Sequence, residues 1–187
     1  MQLHEVLRTA FADTARVVHG VTPEQLGAPT PCADWDVRAL TNHLLQVAAA
    51  LSLAGRRLPV PAELWGRDLM TADAPGDRFD DDRRAALEGW SEPSAWDATV
   101  DVGGMPMPAP AAVSMLVSDL AIHGWDLAQA TGQGYACAPP VARVTRDFVA
   151  GSAEQGRRMG IYAAPQPVAD GTDVFAEALA LSGRARP

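Results

Sequence analysis

Two histidines and an aspartate stand where helical spacing turns them inward. His43 lies three residues after Leu40 and four before Val47, on the apolar stripe of its segment. A polar ring at such a position must find a partner, because burial without one is costly. His123 shares a face with Leu116, Leu120 and Leu127, and Asp119 lies one helical turn before it. Two imidazoles and one carboxylate form a facial ligand set that zinc, iron, nickel and manganese all accept. Three protein ligands leave positions open, the pattern of a catalytic rather than a closed structural site. The plain alternative is a core histidine bonded to a backbone carbonyl, or a buried histidine–aspartate pair. Asp126, three residues after His123, falls near the same face. It could orient a metal ligand by hydrogen bonding to it, or serve only a local bond or the surface.

The other reactive side chains invite plainer readings. His4 and His19 flank the first helix and read as surface histidines. Cys32 sits in a loop just before a helix start, where a thiolate could be favoured, but no base stands near it in sequence and it reads as an inert buried thiol. A bridge between Cys32 and Cys137 stays open, although two cysteines are too few for a disulfide scaffold. Trp35 and Trp125 read as core or pocket walls. The chain has no nucleophile elbow and no phosphate loop, and Gly103-Gly104 precedes a proline-rich run with no helix placed to bind phosphate.

The elements that must carry these residues are mostly helical. Leu3, Val6, Leu7, Ala10, Phe11, Thr14 and Val17 form one stripe over residues 3–18, ended by Gly20. Thr22-Pro23-Glu24-Gln25 reads as a capped helix start that Gly27 stops. Residues 28–36 form a loop whose last member, Asp36, caps a helix over about 37–53, with Gly55 as terminator. Its stripe is Val37, Leu40, Leu44, Val47 and Leu51. Residues 56–82 read mostly as a long connection, and connections beyond about 15 residues are often functional. A helix over about 80–90 follows, then one short strand or hairpin around Thr99–Val102. Further helices are expected over 111–131, stopped by Gly132, and over 139–158, with Val144, Phe148 and Val149 on the apolar side. A short one covers 173–181. The fold class is all-α, and four long helices suggest a four-helix bundle.

The bulk composition narrows the function. A chain of 187 residues is most simply one domain, long enough for a core without disulfides. Net charge is −8, and every basic side chain is arginine. Thinly spread positive charge argues against a nucleic-acid partner and against an electrostatic hold on anionic lipid. The first residues lack the basic start and unbroken apolar core of a signal peptide. No run of about twenty apolar residues suggests a membrane span. A cytoplasmic protein, monomeric or homodimeric, is the expectation.

TPCADWDVRALTNHLL, residues 30–45, and DLAIHGWDLAQATG, residues 119–132, carry a family likeness. They resemble the two signature stretches of actinobacterial metal-binding proteins related to the N-terminal domain of mycothiol-dependent maleylpyruvate isomerase, within the DinB-like superfamily. The likeness runs over nearly the whole chain, to the closing LALSGRARP. It implies a DinB-like four-helix bundle holding a divalent metal, zinc foremost, on His43, Asp119 and His123. Asp119 departs from the glutamate typical of the isomerase pattern and is one methylene shorter. The isomerase also carries a C-terminal domain, expected to be absent here. What the resemblance implies is metal-assisted chemistry with a small thiol such as mycothiol, a transferase or isomerase acting on a small electrophile. A non-catalytic metal- or ligand-binding bundle remains open, as does a thiol-independent enzyme of natural-product chemistry.

Overall fold

The structure is a computed structural model that describes residues 3–33, 35–70, 75–169 and 171–185. Helix α1, Leu3–His19, buries Val6, Leu7, Ala10, Phe11, Thr14 and Val17, the stripe its spacing dictates. Helix α2, Val37–Gly55, begins where the Asp36 carboxylate accepts the Ala39 N–H at 2.8 Å. Between them a single turn over Pro23–Gln25 is closed by the Gln25 side chain, which accepts from Thr22 N–H at 3.0 Å.

The segment after α2 is more ordered than its proline, glycine and aspartate content suggests. Val60 bridges Val102, a short 3₁₀ turn covers Ala62–Gly66, and helix α3 already spans Pro75–Ser91. The side chains of Asn42 and Gln46 donate to the Arg67 carbonyl at 2.9 and 2.7 Å. The long connection expected over 56–82 is therefore largely structured. Its early part is tied to α2 through polar side chains that no apolar periodicity reveals. Residues 71–74, within that expected connection, lie outside the described residues.

The strand signal around Thr99 is a hairpin. Strand β1, Thr99–Val102, pairs antiparallel with β2, Met105–Pro108. Gly103 and Gly104 turn it with φ of 63° and 86°, the left-handed pair that a tight two-residue hairpin demands. Helix α4, Ala109–Thr131, ends at Gly132 with φ 69°. Helix α5, Pro139–Arg158, and the short helix α6, Val174–Leu181, complete the chain.

Helices α1 and α2 do not pair directly as the central contact; α3 and α4 each pack against both, so these four close a ring. Helix α5 lies outside the ring against α4, and α6 packs on α5. Of the side chains expected on the apolar side of α5, Val149 is buried but Val144 and Phe148 are only half-buried. The buried stripe runs instead through Val141, Ala142, Thr145, Val149 and Ala153. Packing against α4 on one side and α6 on the other selects this stripe.

Close helix approach depends on small residues. A Cβ on Gly89 of α3 would meet the Gly55 carbonyl carbon of α2 at 2.6 Å, and one on Gly55 would meet the Trp90 ring at 2.9 Å. Trp90, 1% exposed, donates its ring N–H to the Leu51 carbonyl at 3.0 Å, satisfying the polar atom that a buried indole carries.

Candidate metal centre

His43 comes from the second turn of α2, and Asp119 and His123 come from successive turns of α4. These helices pack directly. One ligand atom from each of the three residues lies within 4.8 Å of the others. The two imidazole centroids are 4.9 Å apart, with the rings at 86°. Tetrahedral coordination at bond lengths of about 2.1 Å would need ligand atoms about 3.4 Å apart, a separation that lies inside the 4.8 Å bound. The shorter aspartate at position 119 keeps a carboxylate oxygen within 4.8 Å of both rings.

The three groups suit a cation chemically. Burial, aided by the neighbouring His123, pushes His43 down to about 3, against a hydrogen bond that its ring donates to Gln46. Its ring is therefore neutral at ordinary pH and has a lone pair to give. Burial raises the Asp119 pKa, and the nearby His123 and Arg184 only partly oppose this. Among the described residues no hydrogen-bond donor or ion-pair contact reaches its carboxylate. An enclosed acid without a close partner gains from a bound cation.

His123 is held from behind. Its Nδ1 is 3.0 Å from Asp126 Oδ2, and the Asp126 side chain is 0% exposed. Arg184 donates to the same carboxylate through Nε at 2.8 and 3.0 Å and through Nη2 at 2.7 Å. Burial alone would raise the Asp126 pKa, but the bonds from His123 and Arg184 outweigh it and hold it below the usual range. An ionised Asp126 fixes the proton of His123 on Nδ1, which leaves the lone pair on Nε2.

The loop over residues 28–36 supplies the roof. Thr30 Oγ1 donates to the Trp35 carbonyl at 2.8 Å and to the Cys32 carbonyl at 3.1 Å, and accepts the Cys32 N–H at 3.1 Å. This compact turn sets the Trp35 ring 4.7 Å from His43 and 5.4 Å from His123, centroid to centroid. Trp35 is thus a pocket wall and Trp125 a core residue. A cavity of ≈ 240 Å³ opens beside the site, with Cys32, Asp119, His123, Tyr162 and Arg184 on its walls.

Three of these residues carry little signal in the sequence. Cys32 lies 91 positions before the imidazole it faces, so no base stands near it until the chain folds. It does not bridge Cys137, which is unbridged. Arg184 belongs to the closing stretch, and the only hint of it is that a buried Asp126 requires a counter-charge. Tyr162 fits because Gly156 offers no Cβ; one there would stand 2.4 Å from its ring. Of the remaining histidines, His4 is half-buried and His19 is exposed and bonded to Asp80 at 2.9 Å, so neither joins the site.

Comparison with known proteins agrees with this architecture. Two uncharacterised Mycobacterium tuberculosis proteins, one from each of two strains, are 28% identical over 144 residues, covering 76% of this chain and 72% of theirs. The crystal structure of a mycothiol-dependent maleylpyruvate isomerase superposes with a TM-score of 0.69 at 18% identity, covering 99% of this chain and 90% of that one. A histidine-to-alanine variant of such an isomerase gives a TM-score of 0.63 at 16% identity, with the same coverage. At these identities the two structures establish the fold alone. The pattern that defines the mycothiol maleylpyruvate isomerase N-terminal domain spans residues 7–128, from the middle of α1 to near the end of α4. That span includes His43, Asp119 and His123, and the chain belongs to the mycothiol maleylpyruvate isomerase N-terminal domain family.

Proposed function

We propose that this chain binds one divalent cation on His43, Asp119 and His123 and there handles a small thiol of the mycothiol type, transferring it to, or isomerising, a small electrophile. The observation that carries the reading is the convergence of two imidazoles and an unpaired carboxylate within 4.8 Å. Kinship with a mycothiol-dependent isomerase supports the choice of thiol.

A bound divalent ion supplies a Lewis acid that lowers the pKa of a thiol on it. The protein supplies the rest. Asp119 contributes the negative charge, and Asp126 with Arg184 fixes the His123 ring. Trp35 lies over both imidazoles, its ring 4.7 Å from His43 and 5.4 Å from His123, centroid to centroid. The ≈ 240 Å³ cavity falls below the range of about 300–1,000 Å³ usual for whole ligands. The reacting ends of thiol and electrophile fit within it, and the bulk of a mycothiol-sized molecule does not.

Metal analysis of protein purified without chelators tests the reading. Wild type should carry about one equivalent of zinc or another divalent ion, and His43→Ala should carry little. Equal, negligible metal in both proteins would remove the site. Metal-loaded protein that binds no thiol at saturable concentrations would leave a metal-binding bundle without this chemistry.

A further inference from the structure

His123 belongs to two overlapping sets of donor atoms. Besides the set with His43 and Asp119, one ligand atom each from Cys32, His123 and Asp126 lie within 4.8 Å of one another. The two sets differ in charge balance. Asp126 already accepts three nitrogen–oxygen contacts of 2.7–3.0 Å from Arg184 and one from His123. A cation on Asp126 would have to displace a guanidinium that has no other carboxylate in contact among the described residues. Asp119 has no such partner. The cation therefore belongs with Asp119, and Cys32 is the donor left beside it, on the wall of the same cavity.

We propose that Cys32 is a fourth ligand of the cation held by His43, Asp119 and His123, closing the site at rest and yielding when a small thiol enters. The inference rests on the metal-site reading above and adds the group that occupies the open position. Two imidazoles, a carboxylate and a thiolate form a donor set that zinc accepts in tetrahedral array. Bonds of about 2.3 Å to sulfur and about 2.0 Å to nitrogen place those atoms about 3.5 Å apart. Cys32 has its ligand atom within 4.8 Å of those of His123 and Asp126 and shares a cavity wall with Asp119, so ligation needs a turn of its side chain from the Asp126 side towards Asp119. Thr30 clasps both the N–H and the carbonyl of Cys32 at 3.1 Å, so the turn belongs to the side chain.

The arrangement selects for thiols. When a small thiol replaces Cys32, one sulfur ligand is exchanged for another, and the proton of the incoming thiol stays on Cys32. Charge at the cation is unchanged, so the exchange is close to balanced. Water offers a harder oxygen donor and competes poorly with a thiolate already in place. The substrate class this site admits is therefore one whose sulfur can take the place of Cys32.

Cobalt(II) reports the sulfur directly. Reduced full-length protein, emptied with chelator and reloaded with about one equivalent of cobalt(II), should show visible d–d bands and a near-ultraviolet sulfur-to-cobalt charge-transfer band. Cys32→Ser should keep the visible bands and lose the charge-transfer band, and Cys137→Ser should keep both. X-ray absorption of zinc-loaded wild type should show one sulfur at about 2.3 Å, a measurement that needs no variant. Visible bands without charge transfer, or zinc without a sulfur neighbour, would overturn the fourth ligand and leave the three-ligand site standing. Loss of charge transfer in Cys137→Ser rather than Cys32→Ser would overturn it too. Wild type that takes up no cobalt would overturn both readings together.

Discussion

At the scale of single residues the arrangement hangs on Asp126. It is fully buried, holds the His123 ring and is neutralised by Arg184. Asp126→Asn keeps the shape and removes the charge that fixes the ring, so zinc affinity should fall about 10- to 100-fold. A zinc titration with a competing chelator measures this, and unchanged affinity would mean that something else orients His123. Arg184→Met tests the other partner. It leaves a buried carboxylate short of its counter-charge and should cost about 3 kcal/mol in urea denaturation. The side chains of Arg184 and Asp126 are only 10% and 0% exposed, so water cannot make up the loss.

At the scale of elements the decisive contact is that of α2 with α3. The Gly55–Gly89 crossing brings backbone against backbone, and the atoms a Gly89 methyl would meet belong to Gly55 and Arg56. Helix propensity alone predicts that Gly89→Ala stabilises by about 1 kcal/mol. The crossing predicts the opposite sign, a loss of about 1–3 kcal/mol through overpacking, read as a lower thermal midpoint. Because α2 also carries His43, a shifted α2 should weaken metal binding in the same variant. The segment after α5 behaves similarly on a smaller scale. Gly156→Ala should push the Tyr162 ring off its seat and speed proteolysis near residues 160–162, with the helices left intact.

At the scale of the whole molecule, two acids withdrawn from water, Cys137 and Tyr135, set its response to alkali. Burial, helped by Asp13 and Asp173, pushes the Cys137 thiol up to about 12. Burial, with Cys137 and Asp13, also raises Tyr135, against Thr14 and Arg16. Both are acids that the fold keeps protonated. Above about pH 8.5, the ordinary cysteine value, the unfolded chain releases a proton that the folded chain retains. Stability should then fall as pH rises from about 8.5 towards about 12. Cys137→Ala should flatten the early part of that decline, which chemical denaturation at stepped pH reads. Among the described residues no helix is long and apolar enough to cross a membrane.

The sequence by itself determined most of the helices and the inward face of the site. Periodicity marks α1, α2 and α4, Asp36 and Gly132 mark two of their ends, and the spacing of Asp119, His123 and Asp126 puts all three near one face. These are local properties, fixed by 3.6 residues per turn and by capping chemistry within a few positions. Tertiary structure decided what depends on partners far along the chain. It made α3 the fourth member of the ring, a role its sequence hides because a heavily charged helix with a narrow buried edge shows weak periodicity. It brought His43 of α2 to the α4 pair, seated Arg184 on Asp126 across 58 positions, and turned Cys32 toward His123. Each of these meetings follows from helix packing and the burial of charge, and no window of sequence contains both partners.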